Sequence, residues 1–188
     1  MNTKSEEQHR MNRRGFLGTL IGVSGSLILP NAYAAPLQAD RVLSFFNTHT
    51  GEKLTATYWA EGQYQIDGLK DIGWLLRDHR ADEAAAMDPR LLDMLHTLQA
   101  RTGIQDRPFH IISGYRSPQT NAKLRSKSSG VAKKSLHMQG KAIDIRVPRY
   151  DIAQLRKAAL SMKAGGVGYY PKSNFLHVDT GRPRAWGK

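Results

Sequence analysis

The sequence predicts an α+β domain with a small antiparallel sheet and helices packed on it. Two runs rich in β-branched and aromatic residues flank a glycine turn near the start, amphipathic helical stretches follow, and strand-like runs return in the second half. Hairpin-like strands mixed with segregated helices define that class.

Residues 1–34 stand apart from the fold. The stretch "NRRGFLGTLIGVSGSLILPNAYA" has a basic start, a weakly apolar middle and an Ala32-Tyr33-Ala34 ending, the pattern of an export signal cleaved before Ala35. Arg13 and Arg14, followed by Gly15, Phe16 and Leu17, read as a twin-arginine signal leading to the periplasm. Gly, Ser and Thr interrupt the apolar run from Phe16 to Leu29, which is short for a span of about 20 residues, so no permanent membrane anchor is expected. Residues 35–188 are expected to form one domain and a monomer.

Within that domain, residues 41–60 read as two strands around a turn at Thr50-Gly51-Glu52. Residues 67–80 place Leu69, Ile72, Leu75 and Leu76 at helical spacing. Asp88 and Pro89 supply an N-cap and a first-turn proline for a helix that buries Leu91, Leu92, Leu95 and Leu98 and ends at Gly103. Residues 108–115 read as a buried strand, 117–129 as a helix opened by Ser-Pro, and Lys127 to Lys134 as a basic loop. The strand within "SLHMQGKAIDIRV" (135–147) follows, then a helix from Asp151 to about Met162. Gly165, Gly166 and Gly168 are expected to break the chain before a last strand at 174–181 and a basic, aromatic tail.

The chain has no cysteine, so a disulfide framework and a thiolate metal site are both excluded, and any metal falls to His, Asp or Glu. Its net charge is +12, with 28 Lys and Arg against 16 Asp and Glu. Such a surplus suits anionic partners or serves solubility alone, and export sets nucleic acid aside as a partner in favour of the cell wall. The basic loop 125–134 is a candidate contact for an anionic wall polymer.

Alternation along the strand 142–147 sends Ile143, Ile145 and Val147 to one face and Asp144 to the other. The same period puts Phe175, His177 and Asp179 on one face of the last strand. If the two strands are neighbours, His137, Asp144 and His177 converge as a His-Asp-His set for zinc, leaving a fourth position for water as in catalytic sites. Gly140 suits the turn between the first two ligands.

The stretches "SGYRSPQTN" (113–121), "SLHMQGKAID" (135–144), "VGYYPKSNFLHVDTG" (167–181) and "RAW" (184–186) carry a family resemblance. In this order they resemble the zinc-dependent murein peptidases of the lysostaphin, D-Ala-D-Ala metallopeptidase and sonic hedgehog superfamily, most closely the MepK type of endopeptidase. The resemblance implies a hedgehog/DD-peptidase-like fold, a Zn2+ cofactor on His137, Asp144 and His177, Arg116 at the site, and peptidoglycan as substrate. One departure stands out: dipeptidase relatives place a glutamate three residues before the last zinc histidine, where this chain has Asn174.

Asp179 therefore remains open as general base, as a partner orienting His177, or as a ligand. Arg116 would hold an oxyanion or a substrate carboxylate. Ser135 either donates to a site group or only starts its turn, and Tyr169, Tyr170 and Trp186 either line a substrate cleft or belong to the core. The leading reading is a murein endopeptidase that opens peptide cross-links for wall growth. A carboxypeptidase trimming terminal D-Ala and a non-catalytic zinc-containing wall-binding module are the alternatives.

Overall fold

The computed structural model describes residues 39–187. The expected export segment, with Arg13, Arg14 and the cleavage point after Ala34, lies outside the described residues. Among the described residues, no helix is long and apolar enough to cross a membrane.

The opening hairpin forms as its composition dictates. Strands β1 (Arg41–Asn47) and β2 (Lys53–Ala60) pair antiparallel, with Ser44 opposite Thr55, and a two-residue strand β3 (Gln63–Tyr64) extends the edge. Helix α1 (Ile66–Leu75) stops five residues short of the expected end. Instead of continuing, the chain folds back so that the Asp78 N–H donates to the Glu83 carbonyl at 2.8 Å. Helix α2 (Pro89–Thr102) matches its sequence signals: the Asp88 side chain accepts from the Arg90 N–H, and Gly103 takes the left-handed conformation at φ 65°. That geometry suits a residue without a Cβ.

Strand β4 (Phe109–Ser113) leads to helix α3 (Pro118–Lys127), capped by the Ser117 hydroxyl accepting from the Thr120 N–H. Strand β5 (Ala142–Arg146) and helix α4 (Ile152–Met162) follow, the latter capped by Asp151 through the N–H groups of Ala153 and Gln154. Strands β6 (Gly166–Tyr170), β7 (Phe175–Asp179) and β8 (Arg184–Trp186) complete the chain. Two expectations are corrected here. The glycines at 165–168 do not break the chain; Gly166 and Gly168 lie in β6, where Gly168 makes room for the Trp186 indole, whose ring would sit 2.6 Å from an added Cβ. The tail is also a strand, because β8 finds a parallel partner in β6.

The strands form one eight-stranded sheet in the order β3-β2-β1-β4-β5-β7-β6-β8. It is larger than the small sheet expected and mostly antiparallel, with parallel pairs at β1/β4 and β6/β8. Apolar residues of the sheet and helices share one core, including Leu91, Leu95, Ile143, Ile145, Leu176 and Val178, each fully removed from solvent. Each such side chain contributes about 1.5–3 kcal/mol of transfer free energy. Strand β5 is central, and the alternation that buries Ile143 and Ile145 in this core turns Ala142 and Asp144 to the other face.

Candidate metal centre

Strands β5 and β7 are neighbours, and Asp144 stands directly opposite His177 in the antiparallel register. Their side chains therefore share a face. His137 reaches the same place from one turn of 3-10 helix, Leu136–Gln139, in which the His137 N–H donates to the Ser135 hydroxyl. Gly140 ends that turn at φ 64°, and a side chain there would also run into the Ala86 carbonyl. A ligand atom from each of His137, Asp144 and His177 lies within 4.8 Å of the other two.

Hydrogen bonds fix how these atoms face one another. His137 donates from Nδ1 to the Gly114 carbonyl at 2.8 Å, which turns Nε2 toward the cluster. That Nε2 is 3.2 Å from His177 Nδ1, and the Asp144 Oδ1 is 2.8 Å from the same His177 nitrogen. On its far side, His177 Nε2 meets Asp179 Oδ2 at 2.9 Å.

Asp179 is fully buried and heavily engaged. Arg184 grips both its oxygens, at 2.9 and 2.6 Å, and the N–H groups of Gly166 and Gly181 donate to Oδ1 at 3.1 and 2.8 Å. The fully buried Asp179 carboxylate thus receives two backbone donors, a bidentate arginine and one histidine. It does not join the convergent ligand atoms.

Charge follows from this geometry. Burial alone raises the Asp144 carboxyl, yet the adjacent His137 and His177 outweigh it and hold it well below the usual carboxylate range. Asp179 is likewise held low, its desolvation overcome by bonds from His177, Arg184 and Gly181. Burial lowers His177, but its two carboxylate partners prevail and its pKa is pushed up to about 9. Two imidazole nitrogens and a carboxylate oxygen that converge in this way make a donor set able to hold a divalent metal ion.

The cluster lines a cavity of about 460 Å³ together with Arg116, Lys134, Tyr170 and Trp186. Arg116 donates to Ser113 Oγ at 3.2 Å and reaches Asn121 Oδ1 at 3.5 Å, while its Nε has no partner. Trp186 lies 5.1 Å from the His177 ring centre and donates from Nε1 to the Tyr170 hydroxyl at 2.9 Å. Ser135 also borders the cavity, although its hydroxyl is engaged by the His137 N–H at 3.4 Å. Tyr169 packs against the core instead, with Arg156 over its ring at 4.8 Å.

Three supports escaped the sequence reading. The buried Asp78 accepts from the Ser117 N–H at 2.9 Å, which fixes the turn that carries Arg116. Asn121 joins Arg116 to the following loop by donating to the Ala132 carbonyl at 3.2 Å. Arg184 anchors Asp179. Asp78 carries no spacing signal, whereas Asn121 and Arg184 lie within the stretches "SGYRSPQTN" and "RAW" that carry the resemblance without being singled out there.

The chain matches the family model for peptidoglycan L,D-endopeptidase MepK over residues 35–186. It is 46% identical over 178 residues to the peptidoglycan L,D-endopeptidase MepK of Escherichia coli strain K12, covering 93% of this chain and 97% of that protein. A probable peptidoglycan L,D-endopeptidase MepK from Haemophilus influenzae is 40% identical over 180 residues, covering 93% and 95% respectively.

Proposed function

The chain belongs to the family of the peptidoglycan L,D-endopeptidase MepK, and on that premise we propose that it is a metallopeptidase hydrolysing peptidoglycan peptide cross-links with zinc held by His137, Asp144 and His177. The observation that carries this reading is the convergence of those three ligand atoms in a cavity that Arg116 also lines. A bound zinc supplies Lewis acidity for the scissile carbonyl and acidifies water to a pKa of about 7.

The protein's own groups then divide the work. Arg116, desolvated on the cavity wall, offers charge-assisted donors to an oxyanion or a substrate carboxylate. Tyr170 accepts from Trp186, so its own O–H is left to donate to substrate. Trp186 supplies an apolar wall beside His177. Ser135 shapes the His137 turn and borders the substrate space.

For Asp179, the number of donors it already accepts favours orientation of His177 over proton transfer. A general base needs an oxygen that can reach the proton it removes, and both oxygens here are committed to Arg184. Asp179 thus fixes the His177 ring and raises its basicity, the usual service of a carboxylate behind a ligating histidine.

Residues 1–34 are read as the signal that carries the chain through the twin-arginine route to the periplasm. Arg13 and Arg14 and the Ala-x-Ala ending support this. Normal export after both arginines are changed to lysine would remove that part of the proposal.

The deciding experiment joins metal content to product identity. Purified protein and His137→Ala are incubated with cross-linked murein, and products are identified by mass spectrometry. About one zinc per chain and conversion of dimeric to monomeric muropeptides by the wild type alone are expected. Bound metal with unchanged dimers would point to a binding module, and release of terminal D-Ala alone to a carboxypeptidase.

A further inference from the structure

We propose that the exposed face of α3 and the loop after it form a second substrate-binding surface, outside the metal cavity, which holds free carboxylates of the surrounding peptidoglycan polymer rather than those of the cross-link being cut. This rests on the peptidoglycan reading above.

The first observation is the sign of the charge. From Arg107 to Ile143 the chain has no Asp or Glu, although it carries eight Lys and Arg. Lys123, Arg125, Lys127, Lys133 and Lys134 are all exposed. Among the described residues, none of these five forms an ion pair. Lys123 and Lys127 also stand one turn apart on α3, where like charges work against the helix. A helix chosen for stability alone gains nothing from that pair.

The second observation is continuity with the site. A groove of about 570 Å³ beside the end of α3 is lined by Ala122, Arg125, Ser126, Ser128, Ser129 and Val131. Ser128 and Val131 also line the metal cavity, so the groove and the cavity adjoin. Lys134 stands on the cavity wall itself. Asn121 ties this wall in place by bonding both Arg116 and the Ala132 carbonyl.

Peptidoglycan stems suit such a surface. They carry free carboxylates, and a polymeric mesh presents many of them around any one cross-link. Several unpaired cations along a groove attract such a polyanion without needing a single tight contact, and salt screens the attraction over about 8–10 Å. The metal cavity reads the bond; the groove retains the polymer.

The test compares the full chain with the triple variant Lys123→Gln, Arg125→Gln, Lys127→Gln. Three readouts are taken: hydrolysis of a soluble cross-linked muropeptide dimer, co-sedimentation with intact sacculi across a salt series, and co-sedimentation with sacculi whose carboxyls have been amidated. The variant is expected to cleave the soluble dimer within about two-fold of wild type. Its binding to sacculi is expected to fall about ten-fold at low salt and to lose most of its salt dependence. Amidated sacculi are expected to bind wild type as weakly as the variant.

Unchanged sacculus binding by the variant, equal losses on dimer and sacculi, or undiminished wild-type binding to amidated sacculi would each overturn the proposal. So would a variant that loses binding to anionic phospholipid vesicles while holding sacculi normally, since the surface would then serve a membrane. A wild type that binds sacculi in this way but leaves the dimer intact would instead overturn the endopeptidase reading.

Discussion

His177 sits between two carboxylates, and this position governs the chemistry of the centre at the residue scale. Asp144 faces one ring nitrogen and Asp179 the other, so without metal the ring keeps a proton up to about pH 9. Metal must displace that proton. Loading near neutral pH is therefore expected to release protons, which calorimetric titration in buffers of different ionisation enthalpy measures directly. Asp179→Asn keeps the side chain's shape but replaces one acceptor oxygen with a donor facing Arg184 or His177. Metal affinity is expected to drop about 10–100-fold, read by competition with a chromophoric chelator. Arg116→Lys keeps the charge and loses the fork of donors. It is expected to retain metal while losing about 10²–10³ in kcat on a cross-linked dimer, and unchanged kcat would remove Arg116 from the chemistry.

At the scale of elements, the start of α2 is coupled to the centre through Asp88. Its side chain caps the helix, accepts from the Thr180 hydroxyl at 2.8 Å just after β7, and its N–H donates to the Gly140 carbonyl at 2.9 Å. One residue thus joins a helix end to the chain segments that follow His137 and His177. Asp88→Ala is expected to cost about 1–2 kcal/mol in denaturant unfolding, at the upper part of the capping range because the Thr180 bond goes too. A loss below a few tenths would mean that water replaces the cap. Asp78 does similar service for the turn before α3, where it holds the Ser117 N–H.

At the scale of the molecule, His137, Asp144 and His177 come from a 3-10 turn and two strands, so a metal held by them would link its binding to folding. Metal present at a hundred times its Kd is expected to stabilise the fold by about 2.7 kcal/mol. The metal-free protein should also depend on pH in a defined way. His177 is raised from 6.5 to about 9, so its contribution is complete below pH 6.5 and disappears as the pH rises through about 9. Asp144 and Asp179 are lowered from 3.8; their contribution is complete above the ordinary carboxylate range and is lost on acidification. The Tm of chelator-treated protein is expected to decline between about pH 6.5 and 9, while zinc-loaded protein stays nearly level, as calorimetry can establish. A flat metal-free profile would show that His177 is neutral in the fold.

By itself the sequence determined what is periodic or punctuated. Strand alternation put Asp144 opposite in facing to Ile143, and the Asp88, Ser117, Asp151 and Gly103 signals bounded three helices close to their observed ends. These were legible because backbone geometry and capping act over a few residues. Strand β8, the early end of α1 and the Asp78 and Arg184 supports were decided only by the tertiary structure. Each depends on a distant partner: β8 on β6, Ser117 on Asp78, Asp179 on Arg184. The neighbouring of β5 and β7 belongs to the same group, and it turned two separate strand patterns into one set of converging ligand atoms.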